Sequence, residues 1–310
     1  MDDNYQARAL YAVGHVGKLQ ELLSVRPSDP ERLLLVVRAL LNQDRRADAL
    51  AVLDQASPAG AEFGAARIAA ADSPRGETAA ALRALLDDPV KAGNVRARVV
   101  VGEALLRLDL VEDAIKAAAP GAIDKDIDCA AVLVRAYLKL DRADLARLLA
   151  DQLSTYPSAD SHAITIQVLE GLVHLAQGGA EHVQQAQWIW DELIQTYAAS
   201  PLLLNLVGAT NLVRKQPADA ARYFTEAALM DPQDADAAAN AAVAAAVAGK
   251  ENGALLRYGN SGWEWGWRWT WELTTGAGSQ LCTQHPGHPL AVALASKADM
   301  FDRLAAQYAA

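Results

Sequence analysis

Six small residues recur along this chain in step: Ala49, Ala80, Ala114, Ala146, Ala186 and Ala220. Their gaps stay near the roughly 34 residues of a repeating helix–turn–helix unit. One such coincidence constrains little, but a run of them leaves few alternatives. A single helical pair cannot bury both of its faces, so the pairs must stack, and the stack supplies the core. The segments between apolar stretches agree with this. Residues 42–45, 107–110 and 139–142 are short turns, which make the flanking helices antiparallel neighbours. Ser57-Pro58, Ser73-Pro74, Asp88-Pro89 and Tyr156-Pro157 punctuate other helix ends.

The clearest unit spans residues 201–231. Its first helix is predicted over 202–214, with Leu203, Leu204, Val207, Leu212 and Val213 apolar. Pro217 lies near the start of the second, over 218–230, and Asp231-Pro232 stops it. Gly208 and Ala220 are small residues that let the two backbones approach. Phe224 and Ala227 follow Ala220 on one face. This arrangement resembles the tetratricopeptide repeat, since Gly208, Ala220, Phe224, Ala227 and Pro232 match small, small, large, small and Pro. Asn211 departs from it, standing where that motif usually has an aromatic residue. Weaker copies lie upstream. Gly171 leads to Ala186, Trp190 and Leu193, through a longer turn over residues 177–182. Val134 leads to Ala146, Ala150 and Leu153, with Tyr137 in the aromatic position. Gly102 leads to Ala114 and Ala118, and Val37 to Ala49 and Leu53. A degraded copy over 62–87 puts Ala80 and Ala84 in register, and residues 4–24 form a pair turning at Gly14-His15.

Composition narrows the function. The chain is 52% hydrophobic with a formal net charge of −10, so it can bury a core and is a poor non-specific ligand for nucleic acid or acidic membranes. Two cysteines, Cys129 and Cys282, exclude a disulfide scaffold and a four-cysteine zinc site. The first residues carry no secretory leader pattern, and no apolar run is long enough to cross a bilayer. A soluble protein of a reducing compartment is expected.

Candidate chemistry is sparse, and neither a cofactor nor a metal is expected. Cys282, His285 and His288 sit three apart, but Pro286 and Pro289 break any shared helix face, so an ordinary loop is expected. His174 near Glu170 lacks an identifiable nucleophile and is read as helix packing or groove lining. Asp124, Asp126 and Asp128 alternate as calcium ligands do, but the glycine and terminal glutamate of an EF-hand loop are missing. They are read as helix caps and solvated charges. Cys129 is read as a small core residue. Trp188 and Trp190 cannot face the same way on a helix; Trp190 takes the core position, and Trp188 is assigned to packing on a neighbouring pair ahead of partner contact. Trp263, Trp265, Trp267, Trp269 and Trp271 alternate with strand period inside a glycine-rich stretch. Arg268 is the only basic residue among them, which argues against a nucleic-acid platform. The chain is thus expected to hold a repeat solenoid over 1–250, an irregular Gly/Trp-rich insert over 251–287, and a closing helix over 288–310.

Beyond the repeats, the chain resembles the coatomer epsilon-subunit family. Leu10-Tyr11-Ala12-Val13-Gly14 is similar to the family's opening. The stretch 138–147, Leu-Lys-Leu-Asp-Arg-Ala-Asp-Leu-Ala-Arg, is similar to a family segment nearly throughout. Leu175-Ala176-Gln177-Gly178-Gly179, residues 200–205, and 301–309 with Phe301-Asp302-Arg303-Leu304 resemble other parts; His288-Pro289-Leu290 resembles a step before the last. Residues 253–283 depart from the family. The resemblance implies an all-α tetratricopeptide-like solenoid of helical hairpins wound as a right-handed superhelix. It implies a non-enzymatic scaffold of the COPI vesicle coat that binds and stabilises the C-terminal region of the alpha subunit. Such a protein acts in Golgi-to-ER and intra-Golgi transport. It resides in the cytoplasm and, through the coatomer complex, peripherally on Golgi membranes and vesicles, with no nucleic-acid partner. The alternative is a tetratricopeptide co-chaperone or adaptor gripping acidic peptide tails in its groove. For that role Arg214 and Lys215 are too isolated.

Overall fold

The computed structural model describes residues 4–251, 283–284, 287–293 and 295–296. Among them every regular element is a helix and no strand occurs. The tryptophan ladder over 263–271, Cys282, His285 and residues 301–309 lie outside the described residues. The chain divides into two compact units, Met1–Ala198 and Ala199–Ala310.

The first unit holds α1 (Tyr5–Ala12), α2 (Val16–Val25), α3 (Pro30–Asn42), α4 (Arg46–Ala56), α5 (Ala61–Ala70), α6 (Arg75–Asp87) and the one-turn α7 (Pro89–Ala92). It continues with α8 (Val95–Arg107), α9 (Val111–Ile123), α10 (Ile127–Lys139) and α11 (Ala143–Leu153). A 3-10 turn, Asp160–His162, leads into α12 (Ala163–Gln177) and α13 (Ala180–Tyr197). The second unit holds α14 (Pro201–Val213), α15 (Pro217–Met230) and α16 (Ala235–Glu251). Residues 289–293 are also helical there.

One turn geometry makes most of these hairpins. After α3, Asp44 takes φ +57°, Arg45 N–H donates to Leu40 O, and Asp44 N–H donates to Leu41 O. This is the paired closure that ends a helix with a left-handed residue. It recurs at Asp109 with Leu110 N–H to Leu105 O, at Asp141 with Arg142 N–H to Tyr137 O, and at Lys215 with Gln216 N–H to Asn211 O. Gly14 makes it between α1 and α2. Aspartate tolerates that backbone better than most residues, so the polar turns seen in the sequence have a physical reason.

Helix starts are capped where the sequence offers an acceptor. Asp29 accepts from Glu31 N–H and Arg32 N–H, with Pro30 at the first helical position. Asp126 accepts from Cys129 N–H at 2.8 Å. Ser200 caps α14 through Leu203 N–H. The second helices bury a common triplet four and seven residues apart. It is Ala146, Ala150 and Leu153 in α11, Ala186, Trp190 and Leu193 in α13, and Ala220, Phe224 and Ala227 in α15.

Two expectations need correction. In α6, Ala80 and Ala84 are exposed, and the buried positions are Thr78, Leu82 and Leu85, with Ala79. The true triplet starts two residues earlier, on a threonine whose hydroxyl lies 3.3 Å from the Pro74 carbonyl. The turn expected over residues 177–182 is only Gly178-Gly179, both with positive φ, because α12 runs on through Gln177 and α13 begins at Ala180.

Candidate interaction site

In the first unit the first helix of each pair lies against the next along α1, α3, α5, α8, α10 and α12, and α12 returns to pack on α1. The unit therefore closes on itself. A polar hub sits inside that closure. Arg38, 5% exposed, projects from α3 and bonds both carboxylate oxygens of Glu103 on α8, at 2.9 and 3.0 Å. Its Nη1 reaches Asp128 on α10 at 3.3 Å. Tyr11 on α1 donates its hydroxyl to Glu103 Oε1 at 2.8 Å, and the Arg38 guanidinium lies 4.6 Å from the centre of the Tyr11 ring. Arg135 on α10 adds an ion pair to Glu103 at 3.5 Å.

The charges of the hub are mutually held. Burial alone pushes the Glu103 carboxyl up, but Arg38 and Arg135 outweigh it and hold the group below its ordinary value. Burial likewise disfavours charge on Arg38, and Glu103, Tyr11 and Asp128 more than offset that. Burial, with help from Glu103, pushes the Tyr11 phenol up to about 12, so it stays a donor. The hub has no free nucleophile and no open coordination position. Its chemistry is that of a multi-helix tie, where a buried pair is satisfied only if all partners arrive together.

A second contact fastens the unit's ends. His15, at the α1–α2 turn, lies 2.9 Å through Nε2 from Tyr197 O, at the end of α13. Lys18 Nζ donates to the same carbonyl at 3.2 Å. Both groups sit where a helix end leaves carbonyls unpaired and partly negative. An open cleft of the first unit, about 460 Å³, borders this contact and is lined by Leu10, Lys18, Glu21 and Tyr197.

The repeat positions foreseen from the sequence fall as follows. Gly171 lies under Trp190: a Cβ there would stand 2.3 Å from the indole. Gly208 lies under Phe224, where a Cβ would stand 2.6 Å from the ring. It makes room for the aromatic residue of the partner helix rather than for Ala220. Gly102 faces Val132 of α10, at 2.8 Å for a Cβ, and so spaces successive pairs rather than its own. Ala114, Ala146, Ala186, Ala220 and Ala227 are fully buried, as are Trp190 and Phe224. Tyr137 is half-buried, and its carbonyl accepts the closing bond of the α10 turn. Pro232 follows the end of α15. Asn211, in place of an aromatic residue, is buried and donates its side chain to Val207 O at 2.9 Å.

The candidates for chemistry disperse. Cys129 is buried, and burial pushes its thiol well above its ordinary range, so it is an inert core residue. Asp126 is a cap, but Asp128 pairs with Arg38 instead of being solvated, and no calcium loop forms. His174 stacks on His182 across the glycine turn, Nδ1 to Nδ1 3.1 Å. His288 bonds Asp236 at 3.1 Å. Among the described residues no group of three or more metal-ligating side chains converges. Trp188 does not pack on a neighbouring pair; it is 63% exposed. The hub was missed by the sequence reading. Its signal was there: Arg38 inside Leu34-Leu35-Val36-Val37-Arg38-Ala39-Leu40-Leu41, and Glu103 inside Val99-Val100-Val101-Gly102-Glu103-Ala104-Leu105. A lone charge within an all-apolar run has to find a buried partner.

The profile of the family described as "Coatomer epsilon subunit" matches residues 2–261. This chain belongs to the coatomer epsilon subunit family. It is 25% identical over 232 residues to coatomer subunit epsilon-1 of Arabidopsis thaliana, spanning 75% of this chain and 70% of that protein. It is 27% identical over 222 residues to coatomer subunit epsilon-2 of Oryza sativa subsp. indica, spanning 72% of this chain and 65% of that protein. Among solved structures, a chain of the APC/C hetero-tetramer Cut9–Hcn1 superposes over 90% of this chain and 58% of its own length, with TM-score 0.52 and 16% identity. That likeness concerns the fold alone: an all-α solenoid of tetratricopeptide-like helical pairs. Family and fold together describe a non-enzymatic scaffold.

Proposed function

We propose that this protein is a non-enzymatic scaffold subunit of the COPI vesicle coat, binding and stabilising the C-terminal region of the alpha subunit. Membership of the coatomer epsilon subunit family over residues 2–261 carries the reading. The physical arrangement supports it: stacked helical pairs present large solvent-facing surfaces, and the buried charges of the hub, Arg38 and Glu103, are paired with one another. The protein acts in the cytoplasm and reaches Golgi membranes and vesicles through the assembled coat, in Golgi-to-ER and intra-Golgi transport. The Gly/Trp-rich stretch over 251–287 is an insert peripheral to that role. A groove for acidic peptide tails is disfavoured, because the inner cations Arg38 and Arg135 are neutralised by Glu103 and Asp128. Affinity capture from cell extract tests the reading. The alpha subunit is expected as the dominant partner; recovery of chaperones alone would overturn it.

A further inference from the structure

α13 is the longest helix among the described residues, at 18 residues, and it contains no Lys or Arg. Its inner face is fully engaged, with Val183, Ala186, Trp190 and Leu193 buried. Its opposite stripe reads Glu181, Gln184, Gln185, Trp188, Asp191, Glu192 and Gln195, following the three- and four-residue steps of one helix face. Trp188 stands at the middle of that stripe, 63% exposed.

The carboxylates beside it have only neutral partners. Asp191 Oδ1 accepts from Gln187 Nε2 at 2.8 Å, and Glu192 Oε2 from Gln167 Nε2 at 2.9 Å. Neither enters an ion pair among the described residues. On other second helices some carboxylates are matched by an arginine: Asp113 with Arg83, Asp144 with Arg142, Asp151 with Arg147. The α13 stripe thus combines a large exposed aromatic face with two negative charges one turn away that form no ion pair among the described residues.

We propose that this stripe is a docking surface for an arginine-bearing segment of the partner subunit, its guanidinium stacked on Trp188 and bonded to Asp191 and Glu192. A guanidinium meets both demands at once. Its planar face is attracted to the indole π-system, and its N–H fork matches a carboxylate. Lysine meets only the charge. The same negative field repels phosphate-bearing partners, whether lipid headgroups or nucleic acid. The identity of the partner chain rests on the coat-subunit reading; the chemistry of the surface does not.

Two measurements on the full chain separate the inference from that reading. In the first, the purified C-terminal region of the alpha subunit is titrated into the protein, Trp188→Ala, and the double variant Asp191→Lys/Glu192→Lys. Each variant is expected to bind at least about tenfold more weakly, with unchanged melting because all three side chains are exposed. Binding within about twofold of wild type overturns the inference and leaves the coat reading intact. In the second, the probe is an alanine-based helical peptide with arginines four residues apart, alongside its glutamate counterpart. The arginine peptide is expected to bind in a salt-sensitive way that Trp188→Ala removes, and the double lysine variant to prefer the glutamate peptide. If wild type fails to bind the alpha subunit, the coat reading falls while the peptide titration still decides the surface. Arginine-peptide binding that is absent or indifferent to Trp188 overturns the surface.

Discussion

Gly171 and Gly208 act alike in two hairpins: each is the missing side chain over which an aromatic ring lies. Trp190 and Phe224 are fully buried against them, so the rings cannot swing aside without opening a void elsewhere. Gly171→Ala should therefore destabilise by about 1–3 kcal/mol through overpacking, and Gly208→Leu by a similar amount or more. Denaturant melting checks both, and a shift near zero would show that the rings have room to move. The hub obeys different energetics. Glu103→Leu leaves the Arg38 charge buried without its main counter-ion and should cost about 3–5 kcal/mol. Arg38→Met combined with Glu103→Leu should recover part of that loss, since the buried Arg38 charge is removed while Asp128, Tyr11 and Arg135 each still lose a partner. A double variant as unstable as the sum of the singles would mean that the pair holds the helices by something other than its charges. Such a hub fixes which helices meet more than it adds stability.

Helices and turns were the most legible scale. Residues 201–231 declare their two helices because proline opens both, glycine and phenylalanine take complementary positions, and Asp231-Pro232 stops the second. The three short turns read from sequence are real because aspartate in each takes the left-handed position. α6 was misread for an equally physical reason. Alanine fills both exposed and buried positions of this chain, so Ala80 and Ala84 imitate the small anchors while Thr78 and Leu82 hold the buried register. Leu82→Ala should thus cost about 2–5 kcal/mol, whereas Ala80→Glu should change stability by no more than about 0.5 kcal/mol; equal effects in thermal melts would contradict the register. The α12–α13 hairpin carries a pH dependence. His174 faces His182 on α13 and Arg147 and Asp151 on α11; burial, then Arg147 and His182, hold it below its ordinary value. A lowered histidine favours the neutral form in the folded state. Stability is therefore full above about pH 6.5 and declines as pH falls from there through the lowered value. His15, lowered by burial and Lys18, contributes with the same sign. Melting between pH 7.5 and 5.5 should show the decline, and His174→Gln should flatten part of it. An unchanged slope in that variant would assign the dependence to other groups.

Scale matters most for the closure of the first unit, which no repeat pattern announces. Periodicity describes each pair and its neighbour, so it foresees α3 on α5 but not α12 returning to α1, nor Tyr11 crossing to Glu103 on α8. The apolar rhythm also runs on past residue 198, where the compact units divide. Long-range pairing depends on single polar residues at single positions, and composition averages them away. A definite expectation follows for the isolated first unit. Residues 1–198 contain the whole hub, both sides of the contact between His15 and Tyr197, and one continuous apolar core from Ala7 to Val173. This fragment should fold alone, helical and monomeric, and unfold in one cooperative transition. Removing residues 1–28 from the fragment should do more than subtract two helices. It strips the apolar cover from α3 and α12 together, deletes the Tyr11 donor to Glu103, and leaves the Tyr197 carbonyl without His15 and Lys18. Cooperativity should broaden and apolar surface should become exposed. Circular dichroism, size-exclusion chromatography and urea melting of the two fragments make the comparison. If the shorter fragment melted as sharply as the longer, each pair would be held by its sequence neighbours alone, and the closure would be an incidental contact rather than what makes the unit one cooperative body.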